Sequence, residues 1–479
     1  MRLVDSVEAS TGSGLPPSIS LEDLLAATGG RLLGPTSVAS FATAAVDSRQ
    51  VIPGCCFVAL RGERVDGHAF VGDAVRAGAT VLLVDRPVQL PTGSDVAVVT
   101  VPDALLALQE VAAWWRGRSA VRVVGITGST GKTIAKEIVA DVVSRSLPTL
   151  RNEGNLNSEI GLPMTLLRLE PAHEVAVLEM GMYGEGEIAR LVEIARPEVG
   201  VVLAVHATHL ERAGSLEAIA RAKAELPAGL PANGLAVLNA DDARVVEMRH
   251  VTRAAVRTFG LGPGADVRAT DVRSEGLRGT SFTLRTPWGD RQVRSANPGR
   301  HLVPHALAAA AVAEHLGVPL GEVAIALEIG SHAPHRMTLL EAAGGAQLID
   351  DTYNASPISV AAALDFLDET PLAPGRRRLA VLGDMLELGP DEERLHREIG
   401  ARAARTVDAL ITVGERGRWI AEGARAAGLT RVASVEQSVD ALPVVERELD
   451  PGIGDLLLVK ASRGIELDRL VDALAAGTR

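Results

Sequence analysis

Lysine is almost missing from this chain. Of 48 basic residues in 479, four are lysines (Lys132, Lys136, Lys223 and Lys460) and the other 44 are arginines. Arginine replaces lysine wherever a solvated charge is wanted, but not as an amine nucleophile or titratable base. Each surviving lysine is therefore a position to question. Tyrosine is scarcer still, with Tyr183 and Tyr353 alone. The two cysteines, Cys55 and Cys56, are adjacent, and neighbours rarely form a disulfide because the ring is strained. A reducing, cytoplasmic setting is the simplest expectation. No 18-residue apolar run is free of charge, so no membrane span is expected. Asp5 and Glu8 stand where a secretory signal would be basic and then apolar. Positive charge is also lacking. The net charge is -12, which argues against a nucleic-acid partner held by a basic field.

What remains is ordinary globular material, 47% hydrophobic and 23% charged, in a chain long enough for two or three domains. Residues 1–18 read as a loose leader around Thr11–Gly14 and Pro16-Pro17. Ser20–Asp23 reads as a helix cap, Cys56–Leu60 and Ala79–Val84 as strands, and Ala104–Trp115 as a helix closed by Arg116-Gly117-Arg118. From Val121 an alternation begins: strand, glycine loop, helix Thr133–Val143, then strands at Val175–Met180, Gly200–Val205 and Leu235–Asn239. That order predicts a doubly wound α/β domain. Gly330–Pro334 reads as a linker, and strands at Gln347–Asp350, Leu379–Leu382, Ala409–Val413 and Leu456–Lys460 predict a further α/β domain.

The sharpest motif is Gly125-Ile126-Thr127-Gly128-Ser129-Thr130-Gly131-Lys132-Thr133, between a strand and a helix. Glycines let backbone N–H groups crowd a phosphate, the helix start favours anions, lysine neutralises charge and threonine can ligate magnesium. Ile126 stands where the strict phosphate-loop pattern has glycine, so the loop is a variant. Glu179 ends a strand, where a carboxylate can face a ligand crevice and bind magnesium, or simply cap or pair. His209 follows the next strand; a lone histidine is as easily structural. Lys223 falls in the helical run Leu216–Leu226, where a solvated face is the plain alternative. Asn155 and Asn157 lie in a polar loop that suits a substrate or a turn. Asp350-Asp351 opens a loop through Asn354 that could take ribose or metal, or merely be capped. Lys460–Gly464, with Ser462 and Arg463, reads as an anion-binding turn or a helix start.

In this order, these segments resemble the Mur ligase family of ATP-dependent amide-bond-forming enzymes. The most specific pieces are Gly154–Gly161, Asp351–Pro357, Leu382–Gly389 and Val459–Gly464, with Asp47-Ser48-Arg49 and Gly62–His68 nearer the N-terminus. The resemblance implies an α/β protein of three domains. A mixed α/β N-terminal domain (19–118) would hold a uridine diphosphate sugar. A central P-loop doubly wound domain (119–333) would hold ATP, and a C-terminal Rossmann-like domain (334–479) the incoming dipeptide. It also implies roles. Gly128–Thr133 would cradle ATP, with Lys132 on its phosphates and Thr133 on one of two magnesium ions. Glu179 and His209 would ligate the second ion. Lys223 would be carbamylated, Arg336 and Asp351 would contact ATP, and Ser48, Arg49, Asn155, Asn157, Asn354, Lys460, Ser462 and Arg463 would lie on the substrates.

The reaction implied joins D-alanyl-D-alanine to a UDP-N-acetylmuramoyl-tripeptide through an acyl phosphate, by a cytoplasmic monomer. The alternatives are a sister ligase adding a diamino acid to the dipeptide precursor and an inactive nucleotide-binding paralogue. The sister's Asp-Asn-Pro-Arg tetrapeptide is absent, and Leu-Gly-Asp-Met-Leu-Glu-Leu-Gly is present. The chain departs from the family where Ala204 and His305 replace asparagines, Ile134 replaces threonine, and Ser356-Pro357 stands for Asn-Pro.

Overall fold

A computed structural model describes residues 18–62, 65–207 and 214–476. The predicted leader and His209 therefore fall outside the described residues, apart from residue 18. The chain divides into two compact units. One comprises the described residues up to Val121 together with Glu159–His173, and the other comprises Arg122–Ser158 and everything from Glu174 onward.

The first unit is built on a five-stranded sheet, ordered Arg31–Leu33, Ala97–Thr100, Ala79–Val84, Cys55–Val58, Thr43–Ala45. Ala79–Val84 forms as expected, while the strand read at Cys56–Leu60 runs from Cys55 to Val58. Both cysteines are buried in it and unbridged. Burial pushes the Cys55 thiol up to about 11, so it is inert at neutral pH. Ser20 caps the first helix by accepting from the Asp23 amide at 3.0 Å. The helix Ala104–Gly117 packs against Gly161–Leu166, and Trp115 Nε1 donates to the Leu169 carbonyl at 3.2 Å. That contact draws residues 159–173 into this unit, although their sequence position falls beyond residue 118.

The second unit holds two sheets. In the nine-stranded sheet, Arg122–Thr127 lies between Val175–Glu179 and Val199–Val202, and all three are parallel. Strand order reverses there, and ligands of such sheets sit at that switch point beyond the carboxyl strand ends. Leu235–Asn239, Ala255–Gly260 and Val267–Ser274 continue the parallel set, and Thr280–Thr286 and Gly289–Ser295 close it antiparallel. Charge-rich alternation in that hairpin (Arg285, Asp290, Arg291, Arg294) hid it from a search for apolar strands. The second sheet has six strands, with Gln347–Asp351, Leu456–Lys460, Arg378–Gly383, Ala409–Val413 and Val432–Val435 parallel and Thr338–Glu341 antiparallel at the edge.

The main core lies beneath the phosphate-loop helix Lys132–Ser144 and the helix Val303–His315. Ala306, Ala308, Ala309, Ala310, Ala311 and Ala313 are all buried. Small side chains let two helices approach closely. That approach sets His305 against the phosphate loop. The stretch read as a linker, Gly330–Pro334, is pinned, because Asn297 bonds Ser331 in both directions, at 2.6 and 3.1 Å.

Candidate active site

One cavity of about 560 Å³ lies where the carboxyl ends of the two sheets of the second unit meet. Its walls include the loop from Ser129 to Thr133, Asn155, Glu179, His305, Arg336, Asp351, Asn354 and the turn from Lys460 to Gly464. A larger but shallow depression, about 730 Å³, runs between the helices Glu392–Ala403 and Gly417–Ala426. Its arginines and glutamates pair with one another, as Arg394 does with Glu398 and Arg397 with Glu393, so it carries no spare chemistry.

The phosphate loop is held by its neighbours. Ser129 donates its amide to the Ala204 carbonyl at 2.8 Å and its hydroxyl to the His206 carbonyl at 3.0 Å. At position 204 the backbone makes this contact, so alanine in place of asparagine leaves it intact. Gly131 has φ +78°, and a Cβ there would overlap His305 Nε2. Only glycine satisfies both demands. Lys132 Nζ donates to the Gly128 carbonyl at 2.9 Å. Its pKa is lowered by burial and by Arg336, with Glu179 opposing.

Glu179 is 2% exposed. One carboxylate oxygen accepts from Thr133 Oγ1 at 2.8 Å and the other from Asn157 Nδ2 at 2.6 Å. Arg336 Nη2 donates to Thr133 Oγ1 at 2.9 Å, which joins the two sheets across the cavity. Its neighbours His335 and Met337 both have left-handed φ, 60° and 52°, a strained path of the kind found where a side chain must be aimed. Arg336 also stacks on Tyr353 at 4.0 Å, and Arg463 covers the same ring at 5.2 Å. Arg336 Nε and His305 Nδ1 are buried without partners among the described residues. These two groups line the cavity with hydrogen-bonding capacity to spare.

Arg336 and Asp351, both expected on ATP, take different partners within the protein. Arg336 reaches Thr133, whereas Asp351 accepts from Lys460 Nζ at 2.5 Å. That lysine also donates to the Asn354 carbonyl at 2.9 Å. Asp350 closes its own loop by accepting from the Thr352 amide and hydroxyl. Ser462 is buried; its hydroxyl accepts from the Leu386 amide at 3.0 Å, and its amide donates to the Asp384 carbonyl. It latches the Leu382–Gly389 segment to this wall. Lys223 is 3% exposed on the helix Leu216–Ala228. Burial and the nearby Lys132 push its amine well below the ordinary lysine range. Ser48 and Arg49 belong to the first unit, in a short turn of helix capped by Asp47, which pairs with Arg49 at 2.6 Å.

Glu179 with the Thr133 hydroxyl offers the hard oxygen donors that magnesium takes. Among the described residues no three His, Cys, Asp or Glu side chains cluster as a ready-made metal cage; His209 lies outside them. Sequence reasoning missed Asn152, His301 and the part played by Tyr353. Asn152 precedes the polar loop of Asn155 and Asn157, and nothing in its spacing marks it.

Three family descriptions cover most of the chain. "Mur ligase family, catalytic domain" matches residues 43–116, "Mur ligase middle domain" residues 126–313, and "Mur ligase, glutamate ligase domain" residues 335–463. The UDP-N-acetylmuramoyl-tripeptide–D-alanyl-D-alanine ligase of Escherichia coli is 38% identical, over 95% of this chain and 98% of that one. The enzyme of the same name from Mycobacterium tuberculosis is also 38% identical, covering 91% of this chain and 92% of that one. Among solved structures, MurF from Acinetobacter baumannii aligns with a TM-score of 0.84 and 32% identity over 96% of this chain and all of that one. MurF ligase from Thermotoga maritima, in complex with ADP, aligns at 0.77 and 28%, over 91% of this chain and 97% of that one.

Proposed function

The chain belongs to the Mur ligase family, and from that premise we propose that it is the ATP-dependent ligase that joins D-alanyl-D-alanine to a UDP-N-acetylmuramoyl-tripeptide, releasing ADP and phosphate. The observation that carries this reading is the single cavity in which Lys132, Thr133 and Glu179 of one sheet face Arg336, Asp351 and Lys460 of the other. Kinship with enzymes of that name along nearly the whole chain selects the substrates.

The tripeptide's terminal carboxylate attacks the γ-phosphorus of ATP and ADP leaves. The dipeptide's amine then attacks the acyl carbon, phosphate leaves, and the amine gives up a proton as the amide forms. Phosphoryl transfer asks chiefly for positioning and charge neutralisation. Lys132 and Arg336 supply fixed positive charge at the phosphate loop. Glu179 and Thr133 are the residues to hold magnesium, which would neutralise phosphate charge when bound. Thr133 would serve one ion, and Glu179 with His209 the second.

Lys223 is the candidate for carbamylation. The neutral amine is the form that adds carbon dioxide, and burial beside Lys132 favours it. The carbamate would place an anion beside Lys132, where a protonated amine would be repelled. Asn157 bears on Glu179 from the substrate loop, and Asn155 lines the cavity beside it. Asn354, Ser462 and Arg463 form the wall assigned to the dipeptide. Ser48 and Arg49 would hold the uridine diphosphate sugar in residues 19–118, with 119–333 and 334–479 as the ATP and dipeptide domains. We take the active species to be a cytoplasmic monomer.

Phosphate release tests the reading. It should require ATP, UDP-N-acetylmuramoyl-tripeptide and D-alanyl-D-alanine together, and Lys132→Ala should abolish it. Silence with D-alanyl-D-alanine, or turnover with a diamino acid and the dipeptide precursor, would overturn it.

A further inference from the structure

We infer that Lys136 is a positioning residue for this ligation: through Asn152, it fixes the strand end that presents Glu179 and the loop that presents Asn157. The inference rests on the ligase reading above.

Lys136 lies one helical turn beyond Lys132 and is fully buried. It does not line the cavity. Its amine donates to the Asn152 carbonyl at 2.5 Å and pairs with Glu137 Oε1 at 2.6 Å. Glu137 in turn binds Arg151 at 2.8 Å, so the buried charge is matched and the segment before the loop is held at two successive residues. Asn152, itself fully buried, uses its whole amide. Its Oδ1 accepts from the Glu179 amide at 2.9 Å, and its Nδ2 donates to the carbonyls of Leu156 at 2.8 Å and Glu179 at 3.3 Å. The adjacent Asn157 then reaches the Glu179 carboxylate. Gly181 leaves room for this, since a Cβ there would meet Asn157 at 3.1 Å.

One helix thus grips the same strand end twice. Thr133 holds the carboxylate directly, and three residues later Lys136 holds its backbone through Asn152. A single compact amine fits between the Asn152 carbonyl and Glu137. The planar fork of arginine needs more acceptors and more room. This would explain why lysine persists here in a chain that otherwise uses arginine. An amine with no route to the cavity cannot touch substrate, so its effect must travel through Asn152.

The test uses the full chain and two variants, Lys136→Met and Asn152→Ala, the second leaving the Lys136–Glu137 pair in place. Equilibrium binding of ADP is measured with and without magnesium, alongside steady-state turnover. Both variants should bind magnesium-free ADP within about twofold of the parent but lose about tenfold of the tightening that magnesium confers, a loss of the size seen when groups that orient metal ligands are removed. Turnover should fall about tenfold or more in kcat, as expected when a group needed in the transition state is displaced, and KM for ATP should rise by no more than the loss of magnesium tightening. A folded Lys136→Met with parental kcat and magnesium response would overturn the inference. So would equal loss of ADP affinity with and without magnesium, the mark of a merely structural role. If Lys136→Met does not fold, Asn152→Ala decides alone by the same criteria. A parent chain that binds no ADP would overturn the ligase reading itself, and this inference with it.

Discussion

Two lysines of the second unit are equally withdrawn from solvent, Lys223 at 3% and Lys460 at 2% exposure, yet their surroundings differ. Lys460 ends a strand of the six-stranded sheet, with the Asp351 carboxylate and the Asn354 carbonyl on its amine. Lys223, beside the nine-stranded sheet, has the charge of Lys132 near it, and burial with that charge drives its amine well below the ordinary range. Burial alone does not decide what a lysine is for. A matched amine ties two loops together. One without a partner among the described residues is pushed toward its neutral form, the form suited to covalent chemistry.

The comparison can be broken from either side. The largest expected effect is on Lys223→Ala, where loss of the anion its carbamate would supply should lower kcat about 10³-fold, roughly 4 kcal/mol of barrier. A short carboxylic acid in the buffer should restore part of the rate. No rescue at any concentration would count against the carbamate. Carbon-13 dioxide should give a carbamate resonance in the parent chain that Lys223→Ala lacks, whereas Lys460 should give none.

Next in size is Lys460→Met, which leaves Asp351 buried and unpaired and should cost about 3 kcal/mol of stability. Adding Asp351→Asn should recover much of that, as read by denaturant unfolding. If the single and double variants are equally unstable, the ion pair is not what holds the wall.

The histidines give a smaller, pH-dependent effect. Burial lowers both His301 and His305 from 6.5 to about 4. His301 also faces Lys460 and Asp365, and His305 faces His301 and Arg336. Between those values the unfolded chain binds more protons than the folded one. Stability therefore rises with pH across this window and is lost as pH falls. The loss should be about 2 kcal/mol per histidine between pH 6.5 and about pH 5. His305→Asn should flatten the dependence of melting temperature on pH over that range, and an unchanged slope would remove His305 from the account. Smallest is Ser356→Asn. Ser356 caps its helix by accepting from the Ser359 amide, and asparagine caps as well, so the change should stay within about 0.5 kcal/mol.

Legibility in the sequence followed the range of the interaction. The phosphate loop was readable because strand, glycines, lysine and helix are contiguous; its helix was expected over Thr133–Val143 and runs Lys132–Ser144. Leu235–Asn239, Ala409–Val413 and Leu456–Lys460 were readable as apolar runs and form as expected. The partners of Asp351 and Arg336 were not. Asp351 and Lys460 lie 109 residues apart, and Arg336 and Thr133 lie 203 apart. No local pattern says which basic group crosses to which acid. Asn152 escaped for a related reason, since its bonds run to backbone atoms, which carry no residue identity.

Both tyrosines of the chain, Tyr183 and Tyr353, line the one cavity. A 479-residue protein usually hides its active site in a crowd of signals. Isotope-labelled tyrosine would here give a spectrum of two residues, with two guanidinium groups close to the Tyr353 ring and Tyr183 nearer solvent. Each addition of nucleotide, sugar-peptide or dipeptide could then be followed at the site itself, without an engineered probe.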